Sequence, residues 1–151
     1  MAIFQAPTLH RPEPQSSPRG TILQVENNVA NATVVQELIA RRPDLVLRTV
    51  TNGHQGVDIA HTLQPDVILL DMRMPDLNGL QALARLQESH ATEHIPVIIL
   101  SSNAFLDEHR RCVEAGAFLY MTKPYRLVAL MAAVDAALTH SATVYKAKLT
   151  A

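Results

Sequence analysis

Four polar clusters in this chain hold the residue types that phosphoryl transfer requires. Glu26, Asn27 and Asn28 follow an apolar run over 22–25, and Asp71 follows one over 67–70. Ser101, Ser102 and Asn103 follow 97–100, and Thr122, Lys123 and Pro124 follow 118–121. An aspartate can take a phosphoryl group as an acyl phosphate. The moving group spreads negative charge over its equatorial oxygens, so a fixed cation and hydrogen-bond donors must meet it. Lys123 offers the cation and Ser101 a hydroxyl. Mg²⁺ takes carboxylate and carbonyl oxygens and keeps several waters. Glu26, Asp71 and a backbone carbonyl near Arg73 offer that shell.

Each residue has a plainer reading when taken alone. An aspartate after a strand is usually a turn former or cap, and Lys123 alone would be a surface lysine. Ser101 could cap a helix, Tyr120 could fill core, and Glu26 could be a solvated carboxylate. Convergence of all four clusters on one rim favours the chemical reading.

That convergence depends on the elements that carry the clusters. Apolar runs over 22–25, 45–50, 67–70, 97–100 and 118–121 alternate with helical patterns. The third and fourth runs have no polar interruption, as expected of parallel strands covered on both faces. Val34, Val35, Leu38 and Ile39 share a helix face before Pro43, and Val57, Ala60 and Leu63 share one before Pro65. Leu80, Leu83 and Leu86 follow an Asn78-Gly79 turn. A more polar stretch over 106–114 ends near Gly116, a helix-terminating residue. Leu127, Leu130, Met131, Val134, Ala137 and Leu138 form the last stripe. Five alternations predict an α/β domain with a parallel sheet and right-handed crossovers. Such sheets bind ligands at the carboxyl ends of their strands, where the four clusters lie.

Composition narrows the alternatives. The 151 residues are 48% hydrophobic and 18% charged, enough for one domain with a sizeable core. A net charge of -1 gives no footprint for nucleic acid or an acidic membrane. The lone Cys112 excludes an internal disulfide framework and suits a reducing cytosol. No apolar run approaches the roughly 20 residues of a membrane span, and the N-terminus lacks a secretory signal. The seven histidines show no zinc-binding spacing. No glycine-rich phosphate loop follows the first run, which argues against a flavin or nucleotide binder. Residues 1–20, with Pro7, Pro12, Pro14 and Pro18, read as a disordered leader. The domain is placed over 21–140, with 141–151 as a tail or helix extension.

The motifs in order carry a resemblance. ILQVENN, PDVILLDMRMPDLNGL, IPVIILSSNA and GAFLYMTKPY resemble the four signatures of the CheY-like response-regulator receiver domains of two-component signalling. The resemblance implies a flavodoxin-like (βα)5 fold with strand order 2-1-3-4-5 and helices on both faces. It implies Asp71 as phosphoryl acceptor, Lys123 as the phosphoryl-binding cation, and Ser101 as a switch hydroxyl. Tyr120 would report the state, and Glu26, Asn27, Asp71 and the Arg73 carbonyl would surround Mg²⁺. Arg73 and Asn103 would modulate water access and phosphoryl lifetime, and the Lys123–Pro124 bond would be cis. The implied donor is a histidine kinase or phosphotransfer protein. The implied output is protein docking on the face of the fourth helix, fifth strand and fifth helix, a surface where homodimers also form. The implied protein is a cytoplasmic switch, not a turnover enzyme, beyond self-phosphorylation and self-dephosphorylation.

Two positions depart from the family pattern. Asn27 stands where the family usually has a second acidic residue, so the site has two carboxylates instead of three and weaker Mg²⁺ binding is expected. Strand alternation from Asp71 predicts that the Arg73 guanidinium faces a phosphoryl oxygen or Glu26. The Asn27 exchange supports an alternative, a receiver-like adaptor that works without phosphorylation.

Overall fold

The computed structural model describes residues 19–151. The leader expected over 1–20 lies outside the described residues, except that Gly20 opens the first strand. The strands are β1 (Gly20–Val25), β2 (Leu45–Val50), β3 (Val67–Asp71), β4 (Val97–Ser101) and β5 (Leu119–Thr122). They form one parallel sheet in the order β2-β1-β3-β4-β5. The helices are α1 (Val29–Ala40), α2 (Gly53–Leu63), α3 (Gly79–Glu88), α4 (Leu106–Glu114) and α5 (Leu127–Thr150). This is the flavodoxin-like receiver architecture that the sequence implied.

Alternation along the central strands divides the interior in two. Leu23, Ile68, Leu70 and Ile99 point to one face, where Ala60 of α2, Leu83 and Leu86 of α3 and Cys112 of α4 meet them. Ile22, Leu69 and Ile98 point to the other, against Val35 and Ile39 of α1 and Leu130, Val134 and Leu138 of α5. Every residue of β3 and β4 is buried. Their unbroken apolar runs follow from having a core on both sides.

Three helices start on asparagine caps. Asn28, Asn52 and Asn78 each accept the backbone N–H three residues on. At Asn78 the bond is reciprocated, because Gln81 accepts the Asn78 backbone N–H and completes a capping box. The Asn78-Gly79 pair is therefore a helix start, where the sequence reading had a turn. Gly79 is required there by space: a Cβ would lie 2.9 Å from the Asp71 carbonyl oxygen and from the Met72 Cα. Gly116 has φ +102° and ends α4, as its sequence position suggested.

Helix α5 is longer and more apolar than its buried stripe requires. It continues through 141–150, so of the two readings given for 141–151, tail or helix extension, the second describes it. Its 24 residues are also long and apolar enough to cross a membrane by length and composition, contrary to the expectation that no run approaches that length. The stretch Leu130, Ala133, Val134, Ala137 and Leu138 is nonetheless buried against the sheet. Leu127, predicted on that stripe, is 42% exposed.

Candidate functional site

The carboxyl ends of β1, β3, β4 and β5 form one rim, and the polar residues there fall into two groups. The first group is charged. Lys123 Nζ lies 3.0 Å from Asp71 Oδ1 and 3.3 Å from Glu26 Oε2. Both carboxylates are buried, at 6% and 3% exposure. Asp71 is held because it ends a wholly buried strand, and Glu26 because its backbone N–H continues the ladder to Val50. The other Glu26 oxygen accepts the Asn28 backbone N–H at 3.1 Å and the Asn31 amide at 3.4 Å. Burial first, and then the neighbouring Asp71 charge, raise the Glu26 pKa. Burial lowers that of Lys123, but its pairing with Asp71 and Glu26 outweighs this and the net shift is upward. The Lys123–Pro124 peptide is cis.

The second group is made of hydroxyls and amides around one carboxylate. Glu108 Oε1 accepts hydrogen bonds from the Ser101 hydroxyl and, at 2.7 Å, from the Tyr120 hydroxyl. Glu108 Oε2 accepts the Asn103 side-chain amide at 2.9 Å. The Tyr120 hydroxyl also reaches the Asn103 carbonyl, and the Asn103 backbone N–H donates to Ser101 Oγ at 3.1 Å. The Tyr120 ring stacks on His109, with centroids 5.0 Å apart and planes 16° off parallel. Burial, the largest influence, raises the Glu108 carboxyl. The bonds from Ser101, Tyr120 and Asn103 and the field of Arg73 outweigh it and hold the group below its ordinary value. Burial and Glu108 push Tyr120 up to about 12.

The structure thus brings together Glu26, Asp71 and Lys123, and beside them Ser101, Asn103 and Tyr120. Two predicted residues stand apart. Asn27 is exposed at the rim. Arg73 is exposed in the loop beyond β3, where strand alternation no longer applies, and its charge is among those that lower the Glu108 carboxyl. Glu108 itself was missed. Its signal was present: it lies one turn before Cys112, the only buried residue of α4, so the pair shares the inward face. Cys112 is buried and inert, its thiol pushed up to about 11 by burial. A further unpredicted contact steadies the rim. Asp76, in the loop after β3, accepts the Gly53 and His54 backbone N–H groups, each at 2.9 Å, at the start of α2.

Among the described residues no group of three His, Cys, Asp or Glu side chains is placed to hold a metal. Two buried carboxylates side by side, the charge of Asp71 raising the pKa of Glu26, still suit a hard divalent cation that keeps most of its waters.

Comparison with known proteins agrees with this geometry. Residues 22–135 match the family described as response regulator receiver domain. The chain belongs to that family, whose members are signalling switches of two-component systems. The nitrate/nitrite response regulator NarL of Escherichia coli is 36% identical over 104 residues, 68% of this chain and 47% of NarL. The polar-differentiation response regulator DivK of Brucella anthropi is 31% identical over 104 residues, 69% of this chain and 84% of DivK. Some longer regulators are matched over only a quarter to a half of their length. A similar solved structure is the receiver domain of sensor histidine kinase PA1611 from Pseudomonas aeruginosa PAO1, with a magnesium ion coordinated in its active-site cleft. It has a TM-score of 0.72 and 29% identity, covering 80% of this chain and 98% of that one.

Proposed function

We propose that this domain is switched by phosphorylation of Asp71. The observation that carries the reading is the Lys123 ammonium bridging Asp71 and Glu26 at the strand ends. An Asp71 carboxylate oxygen attacks phosphorus, and the bond from phosphorus to the donor nitrogen breaks. The donor imidazole, on a histidine kinase or phosphotransfer protein, leaves with that electron pair and takes a proton from solvent. Lys123 follows the charge from carboxylate to phosphoryl oxygens, and Ser101 offers its hydroxyl to another. Glu26, Asp71, the Asn27 amide oxygen and the Arg73 backbone carbonyl are the groups that would hold Mg²⁺. When bound, the ion neutralises charge on the phosphoryl oxygens.

Phosphorylation shifts a two-state equilibrium, and Tyr120 on β5 moves with it. Output is docking of a partner, or of a second copy, on the face of α4, β5 and α5. Phe105, Leu106 and Val113 are exposed there at 75%, 81% and 51%. Arg73 and Asn103 tune how fast water reaches the acyl phosphate. The working unit is residues 21–140, acting in the cytoplasm.

Intact-mass spectrometry with a small phosphodonor tests the reading, with and without Mg²⁺ and beside Asp71→Asn. The expected result is a gain of one phosphoryl group that needs both Mg²⁺ and Asp71. No gain at high donor and high Mg²⁺ would overturn it.

A further inference from the structure

We infer that Glu108 of α4 is a positioning residue that latches Ser101 and Tyr120 in the unphosphorylated domain and so sets the switch equilibrium. The inference rests on the phosphorylation reading and adds a residue to it.

One carboxylate stands at the meeting point of the Ser101 and Tyr120 hydroxyls. Ser101 ends β4 and Tyr120 lies on the neighbouring β5, paired through Ile99. Glu108 Oε1 accepts from the Ser101 hydroxyl and shares the Tyr120 hydroxyl hydrogen with the Asn103 carbonyl, and Oε2 accepts from the Asn103 amide on the loop between β4 and α4. A serine hydroxyl has one hydrogen to donate. While Glu108 holds it, Ser101 cannot donate to a phosphoryl oxygen on Asp71. Tyr120 is gripped twice from the same helix, by the Glu108 carboxylate and by the stacked ring of His109. Bonds to an ionised carboxylate are stronger than bonds between neutral groups, so leaving Glu108 carries a penalty. Arg73, two residues beyond Asp71, is the cation whose field reaches Glu108.

Ligand affinity and reactivity scale with the fraction of molecules in the competent state. Removing the latch raises that fraction. Glu108→Gln keeps the size of the side chain and removes its charge; Glu108→Ala removes the acceptor. With a small phosphodonor and Mg²⁺, both variants are expected to phosphorylate about tenfold faster than the parent, the factor for losing one charge-assisted hydrogen bond. In the unphosphorylated domain, ¹³C-tyrosine NMR assigned with Tyr120→Phe should show Tyr120 titrating lower in Glu108→Gln than in the parent. That readout tests whether the Glu108–Tyr120 contact is present in solution, and the phosphorylation rate tests whether the contact sets the equilibrium. Native amide spectra for α1 and α2 certify folding.

A parent that phosphorylates while Glu108→Gln, with native spectra, only matches its rate overturns the latch alone, whatever its Tyr120 titration. A slower Glu108→Gln, with native spectra, overturns it as well, because the carboxylate then assists the reaction. Absence of any mass gain in parent and variants alike overturns the acceptor reading, and the latch with it.

Discussion

The two halves of the rim are built on different foundations. Glu26 and Asp71 extend from strands in the middle of the sheet, buried at 3% and 6%, and Asp71 ends a strand that is buried throughout. Ser101 also ends a strand that is buried throughout, but its hydroxyl and that of Tyr120 lean on Glu108, carried by a nine-residue helix that buries only Cys112 and has no side-chain cap. Charge is fixed on one half by a rigid scaffold, and hydroxyls are held on the other by an element that makes few contacts. Low-contact elements are the ones that open and move at least free-energy cost. A switch needs both: a reaction site that stays put and a neighbour that does not.

Lys123→Ala should have the largest effect. It leaves two buried carboxylates facing each other, so phosphorylation should fall by a factor of about 100 or more. The folded domain should lose about 2–3 kcal/mol, read by urea titration at neutral pH. An unchanged phosphorylation rate would mean the charged half is only structural.

Asn27→Asp should come next. A third carboxylate should raise Mg²⁺ affinity about tenfold, measured by metal titration followed by NMR, with no change in α4. If affinity stays flat, position 27 lies outside the metal shell.

Hydrogen exchange should then separate the halves without mutation. Amides of α4 should exchange through openings far cheaper than those of β3 and β4. Equal protection in the two would erase the contrast.

The smallest effect concerns Asp76, which braces the loop after β3. Backbone hydrogen bonds, from His54 foremost and from Gly53, hold its carboxyl down to about 2. A carboxyl lowered in the folded state contributes stability above its unfolded pKa, near 3.9. That contribution is lost as pH falls from there through about 2. Asp76→Asn should therefore flatten the acid limb of a stability-versus-pH curve while leaving neutral phosphorylation almost unchanged.

The contrast also explains what could be read in advance. The strands were legible because a core on each side left β3 and β4 no room for polar residues. Glu26, Asp71 and Ser101 were legible because each follows an apolar run directly, and Lys123 because it lies two residues after one. The direction of Arg73 was not legible, because pairing of β3 ends at Asp71 and alternation does not carry into the loop that follows. Glu108 was hidden in a helix whose polarity suggested solvent on all sides. The reach of α5 beyond 140 was obscured because its outer turns are exposed and bear no buried stripe.

Gly79 carries a last consequence. The first turn of α3 rests against the peptide that follows Asp71, with space for a hydrogen but not for a methyl group. An alanine at that position would meet main chain on the reactive strand, which cannot rotate out of its way as a side chain can. Its displacement would be delivered straight to the carboxylate that is proposed to react. A substitution made on a helix would then be felt as altered aim at the rim, while the sheet and both cores stayed whole.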